Sequence, residues 1–158
     1  MQTPFRSATR LLLGLAVVAV AACGGDSGGS TAPNPDPVPG SDVAGSYALT
    51  QVRTLGHLGG GGTGLPVTFV DGSGDQLVFQ SGTLILTEGA FDLKVQITFK
   101  GNPSELTDYG TYSVSGGGTI DFHSQKSSPR LSTGTISGNK ITANGQFGGI
   151  PFEIDVQR

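Results

Sequence analysis

Few residues in this 158-residue chain could do chemistry: one cysteine (Cys23), two histidines (His57 and His123) and 12 scattered carboxylates. A zinc centre needs three or four Cys, His or carboxylate ligands at close spacing, and no stretch offers them. Asp71-Gly72-Ser73-Gly74-Asp75 could touch calcium weakly, but the glutamate that completes an EF-hand loop is missing, and the segment reads as a solvated turn. Gly59, Gly61 and Gly64 satisfy a G-x-G-x-x-G spacing, yet Pro66 and a β-rich run follow where a dinucleotide site needs a helix N-terminus. Asp121 and Glu153 could pair for acid–base work on sugars. Their alternation with Phe122 and Phe152 places them instead on a polar outer face. No Gly-x-Ser-x-Gly elbow leads from a strand into a helix. No catalytic residue, metal or cofactor is expected, and the chain reads as a non-enzymatic protein.

The thiol has a different use. Residues 1–22 carry Arg6 and Arg10, then an apolar run over 11–22, which is too short for the roughly 20 residues that cross a bilayer. This is the pattern of a secretory signal. Val20-Ala21-Ala22-Cys23 resembles the bacterial lipobox. The resemblance implies cleavage before Cys23, a diacylglyceryl group on its sulfur and further acylation of the palmitate kind, the alternative being an ordinary secretory signal. Two or three acyl chains anchor stably, at about 0.8 kcal/mol per buried methylene, so Cys23 is spent on lipid.

Residues 23–41 are rich in Gly, Ser and Pro and read as a tether. Gly25-Asp26-Ser27-Gly28-Gly29 matches the nucleophile segment of chymotrypsin-like proteases, but it stands beside the anchor with no protease domain around it. Removing residues 1–22 takes two of the 9 basic residues and none of the 12 acidic ones, leaving a net charge of −5. Nucleic acid and anionic lipid heads call for clustered Lys and Arg, so neither is an expected partner. Gly24 replaces the aspartate that holds enterobacterial lipoproteins at the inner membrane. The expected location is therefore the cell envelope, lipid-anchored, on the periplasmic or surface face of an outer membrane.

What remains, 42–158, is one domain. With 27 glycines spread along the chain, each costing about 0.8–1 kcal/mol in a helix, a helical bundle is excluded. A single cysteine excludes a disulfide scaffold. From Phe91 to Lys100 apolar and polar residues alternate without error, and the pattern recurs at Ile150, Phe152, Ile154 and Val156. Weaker strands are predicted over 47–54, 65–70, 76–79, 83–87, 109–114, 119–123, 131–136 and 140–144, separated by Asp-Gly, Glu-Gly, Gly-Asn and Asn-Gly turns. Gly-Thr followed by an apolar residue recurs at Gly82, Gly110, Gly118 and Gly134, placing glycines at strand starts where a sheet can coil. The expectation is an all-β, antiparallel up-and-down meander of eight or nine strands. It closes into a small barrel, with a β-sandwich as the alternative.

Val43-Ala44-Gly45-Ser46-Tyr47-Ala48-Leu49 resembles the opening strand of bacterial lipocalin-like lipoprotein domains, with tyrosine where lipocalins carry tryptophan. Ser81-Gly82-Thr83-Leu84, Gly89-Ala90-Phe91 and Tyr109-Gly110-Thr111-Tyr112 resemble the family's hairpin phrases. The resemblance implies a small apolar ligand held among Tyr47, Leu49, Phe91, Leu93, Val95, Tyr112, Phe122, Phe152 and Ile154. It also implies that Arg158 closes the barrel base across the Tyr47 ring. The same side chains could instead fill the interior, leaving a structural or interaction protein that meets an envelope partner through loops such as 56–64 or 125–131.

Overall fold

The computed structural model describes residues 43–56, 58–60 and 64–158. Among the described residues ten strands are formed: β1 (Gly45–Thr54), β2 (Gly59–Gly60), β3 (Val67–Val70), β4 (Gln76–Thr87), β5 (Ala90–Phe99), β6 (Asn102–Ser115), β7 (Thr119–Ser124), β8 (Arg130–Ser137), β9 (Lys140–Phe147) and β10 (Ile150–Gln157). All pairings are antiparallel, and from β3 to β10 each strand pairs with the next. β1 closes the ring. Its first half pairs with β4 and its second half with β10, so eight strands form a barrel and the sandwich alternative does not hold. β4 outruns its pairing with β1, and β3 with the short β2 attaches to the overhang.

The alternation that identifies the strands also sets the inside of the barrel. Across five strands, Val52, Ile154, Ala143, Gly134 and Ile120 stand in register as one interior row. Two aromatic pairs meet edge to face, Phe91 with Phe122 at 5.1 Å between centroids and Phe69 with Phe79 at 5.8 Å. Val67 and Phe69 of β3 join the same core.

The phase slips where the ladder bulges. In β1 the interior residues run Tyr47, Leu49, then Val52, past a bulge at Thr50, and in β4 they run Leu77, Phe79, then Leu84 and Leu86, past a bulge at Gln80. The strands expected at 76–79 and 83–87 are therefore one. β6 starts seven residues before the expected 109, because its exposed beginning, Asn102-Pro103-Ser104-Glu105, carries no apolar alternation.

Gly82, Gly110 and Gly134 lie mid-strand, not at strand starts, and Gly118 sits in a turn with φ of +79°. A Cβ on Gly110 would stand 2.1 Å from the His123 carbonyl oxygen and 3.1 Å from the Phe91 ring. The β6–β7 backbones approach here more closely than any side chain allows. Gly110→Ala is expected to cost about 1–3 kcal/mol through overpacking. Gly72→Ala, at a site with open space and no positive φ, is expected to leave the urea midpoint unchanged. Equal midpoints for the two variants would refute the close approach.

Candidate functional site

The nine residues assigned to a ligand pocket all lie in the core. Five of them, Leu49, Leu93, Val95, Phe152 and Ile154, border together with Phe79 and Phe147 an interior pocket of about 10 Å³, room for about one water. Glycines explain how the rings fit so closely. A Cβ on Gly145 would come within 2.7 Å of the Phe152 ring, as one on Gly110 would crowd Phe91. Each aromatic ring takes the volume a neighbouring strand gives up.

At the pole where β1 begins, the Arg158 guanidinium lies 4.7 Å from the Tyr47 ring centroid and donates to the Ala44 carbonyl at 2.6 Å. The Tyr47 hydroxyl donates to the Val43 carbonyl at 2.7 Å. Backbone and side chain of Asn139 hold Arg158 in place, its N–H donating to the Asn139 carbonyl at 3.0 Å. Gly45 leaves room for this arm, since a Cβ there would sit 2.9 Å from Nε.

On the outer wall Asp155 is only 3% exposed. Its Oδ2 meets Arg53 at 3.0 Å and Lys140 at 2.9 Å, and its Oδ1 accepts the Thr142 hydroxyl at 2.7 Å. Burial alone would raise this carboxyl, but the Arg53, Thr142 and Lys140 bonds outweigh it and bring it down to about 2. Arg53 also binds Glu153, so that carboxylate belongs to an ion cluster remote in sequence and strand from Asp121.

The feature that breaks the regularity of the barrel is the seam between β7 and β8. Their ladder holds three pairs, Thr119 with Thr135, Ile120 with Gly134 and Asp121 with Thr133. β7 nonetheless runs on to Ser124, and β8 starts back at Arg130. Between the parted strands lies a groove of about 590 Å³ bordered by Asp121, His123, Ser124, Arg130, Ser132 and Thr133, with Ser113 alongside.

Beneath this groove stands Asp108 of β6, fully buried and in the interior phase of Gly110 and Tyr112. Its Oδ2 accepts the Leu131 N–H at 2.6 Å, and its Oδ1 accepts the Ser124 hydroxyl. The carboxylate thus takes the place of the strand carbonyl that β8 lacks on this side. Burial pushes the Asp108 carboxyl above the usual carboxylate range, against the pull of Ser124, the Leu131 and Tyr109 N–H groups and nearby Lys126. Lys126 donates to the Thr107 hydroxyl at 2.5 Å and lies over the Tyr109 ring.

Other sequence candidates fall elsewhere. His123 lies on one lip of the seam, whereas Cys23, residues 1–42, His57 and residues 61–63 are outside the described residues. Asp71 accepts the N–H groups of Ser73 and Asp75 at 2.8 and 2.9 Å, and Asp75 pairs with Lys100, the arrangement of a closed turn. Among the described residues no three His, Cys, Asp or Glu side chains converge to hold a metal. Near the β5–β6 tip, Ile97, Phe99, Pro103, Leu106 and Phe147 line an apolar groove of about 450 Å³. Sequence reasoning missed Asp108, although counting back by twos from Tyr112 through Gly110 places it inside. Comparison with family models, curated proteins and solved structures finds no match to this chain.

Two measurements test these polar clusters. Asp155 has a lowered folded pKa, so its stabilisation is present above the ordinary value of 3.8 and is lost as pH falls toward 2. Unfolding free energy should drop by about 2 kcal/mol across that window from this group, and Asp155→Asn should flatten the slope. An unchanged slope would show that Asp155 titrates normally. Asp108→Ala leaves the Leu131 N–H without its acceptor and is expected to cost about 1–3 kcal/mol, with faster amide exchange at Leu131 than at Ile141.

Proposed function

We propose that the chain is a non-enzymatic, lipid-anchored protein of the bacterial cell envelope whose barrel works through its outer wall, by contact with another protein. The observation that carries this reading is the filled interior. Small-molecule pockets occupy about 300–1,000 Å³, and the interior pocket bordered by Leu49, Leu93, Val95, Phe152 and Ile154 is about 10 Å³. A filled barrel has only its wall and its loops to offer a partner. The lipid anchor rests on Cys23, the single cysteine, standing directly after the apolar run and before the Gly/Ser/Pro-rich stretch. Delivery to an outer membrane follows from Gly24 at the next position.

Two assays test the reading. Saturating fatty acid, haem or a retinoid probe is expected to leave the melting temperature unchanged, whereas an interior ligand at 100 times its Kd would add about 2.7 kcal/mol. A saturable rise would restore the ligand-binding alternative. An alkyne-tagged fatty acid fed to the producing cells is expected to label the wild type and not Cys23→Ser. Labelling of both would place the acyl chain elsewhere.

A further inference from the structure

We propose that Asp108 works as a proton-operated latch on residues 124–131: neutral, it locks the turn at Ser124 and Lys126; ionised, it releases that turn. A count of hydrogens carries the inference. The Ser124 hydroxyl has one proton, and two acceptors lie within its reach, Oδ1 of Asp108 and the Lys126 carbonyl at 3.2 Å. Its oxygen also receives the Lys126 N–H at 3.1 Å. With Asp108 ionised, the hydroxyl proton goes to the carboxylate, because a hydrogen bond to a charged acceptor is roughly twice as strong as one between neutral groups. The Lys126 carbonyl then loses its donor. With Asp108 neutral, the carboxyl proton is donated to Ser124 Oγ, whose two lone pairs take it and the Lys126 N–H, and the hydroxyl is free to bond the Lys126 carbonyl. Every group in the set is then satisfied. Oδ2 keeps the Leu131 N–H at 2.6 Å in either state.

The surroundings favour the neutral form more than those of an ordinary aspartate. Asp108 is fully buried, and the Lys126 ammonium is engaged by the Thr107 hydroxyl and the Tyr109 ring instead of by the carboxylate. Burial is the largest influence on the group and raises it, while the charge of Lys126 pulls against it less than the Ser124, Leu131 and Tyr109 donors do. The other charged or titratable groups of the elements around it stand at outward positions of their strands: Asp92 and Lys94 on β5, Glu105 and Tyr109 on β6, His123 on β7 and Arg130 on β8. The folded group titrates above its ordinary value of 3.8, so the stability it lends is complete below that value and is lost as pH rises through the folded midpoint, the reverse of Asp155. Its proton has a route to solvent, since Ser124 borders the groove between β7 and β8. Residues 125–129 connect those two strands. On the reading of a barrel that meets its partner through wall and loops, acid therefore closes one such loop and a higher pH loosens it. The latch itself is independent of what the barrel binds.

The test is a carbon-13 and nitrogen-15 pH titration of the full-length protein in detergent, following the Asp108 carboxyl and the peptide unit between Lys126 and Ser127. The carboxyl is expected to titrate above 3.8, with the Lys126 carbonyl shift moving at the same midpoint. Exchange of the Ser127 amide, corrected for base catalysis, should rise about threefold or more across it. Asp108→Asn imitates the neutral acid, its amide donating to Ser124 and its carbonyl accepting from Leu131. That variant should lose the pH dependence and melt at or above the wild type at neutral pH, where Asp108→Ala melts below it. Ser124→Ala should leave the carboxyl titrating and uncouple the Lys126 carbonyl from it. A carboxyl midpoint at or below 3.8 would overturn the proposal, as would a Lys126 carbonyl that stays still through a raised midpoint. So would a Lys126 carbonyl that still follows Asp108 in Ser124→Ala, or an Asp108→Asn variant as unstable at neutral pH as Asp108→Ala. Each of these outcomes leaves the filled-barrel reading in place, and a saturable rise in melting temperature with fatty acid overturns that reading instead.

Discussion

An eight-strand ring has an interior that its own side chains can just fill or that can hold one small ligand, and here the packing of the inner side chains governs the rest of the molecule. Apart from Asp108, the buried inward positions carry either a ring or branched chain, or a glycine or alanine that makes room for one. Gly110 yields to Phe91, Gly145 to Phe152, and Ala143 with Gly134 to the isoleucines in register with them. The high glycine content is thus part of the packing. Flexibility is not what these positions require, since a Cβ at Gly110, Gly134 or Gly145 would stand 2.1–2.6 Å from a carbonyl oxygen of the neighbouring strand.

Close coiling at those glycines has a consequence one strand further on. β8 carries a bulge between Leu131 and Gly134, and there it leaves the course of β7. An N–H exposed by that departure would stand in the core without a partner, at a cost of about 1–3 kcal/mol. Asp108 removes the cost by reaching across from β6. It incurs the desolvation of a carboxylate instead, moderated by three donors and by Lys126 at the edge. Asp155 shows the opposite balance. It is also nearly buried, but two cations and a hydroxyl more than compensate, and its carboxyl is held near 2. The two aspartates differ in their partners more than in their depth.

The sequence pattern of period two made most of this legible, because a half-buried antiparallel strand announces its inner face residue by residue. It was least legible where the period broke. A bulge at Gln80 shifted the phase and split β4 into two apparent strands. The beginning of β6 escaped because it has no buried face until Leu106 and pairs on one side only. Its Pro103, with no N–H to offer, and the overlying Lys126 are features that keep an exposed edge from pairing with other chains. Asp108 was hidden by its chemistry. An acidic residue in an interior phase looks like an error in the pattern until the missing ladder bond it replaces is known.

That substitution also separates the seam from the other openings in the wall. The free edge of β6 is protected by proline and lysine, and the groove at Phe99 and Phe147 presents apolar side chains. At the seam β7 and β8 part beyond Asp121, and the Asp108 side chain lies on the inner side, bonded to Ser124 and Leu131. Its hydrogen bond to Leu131 keeps the core closed whether or not the groove outside is occupied.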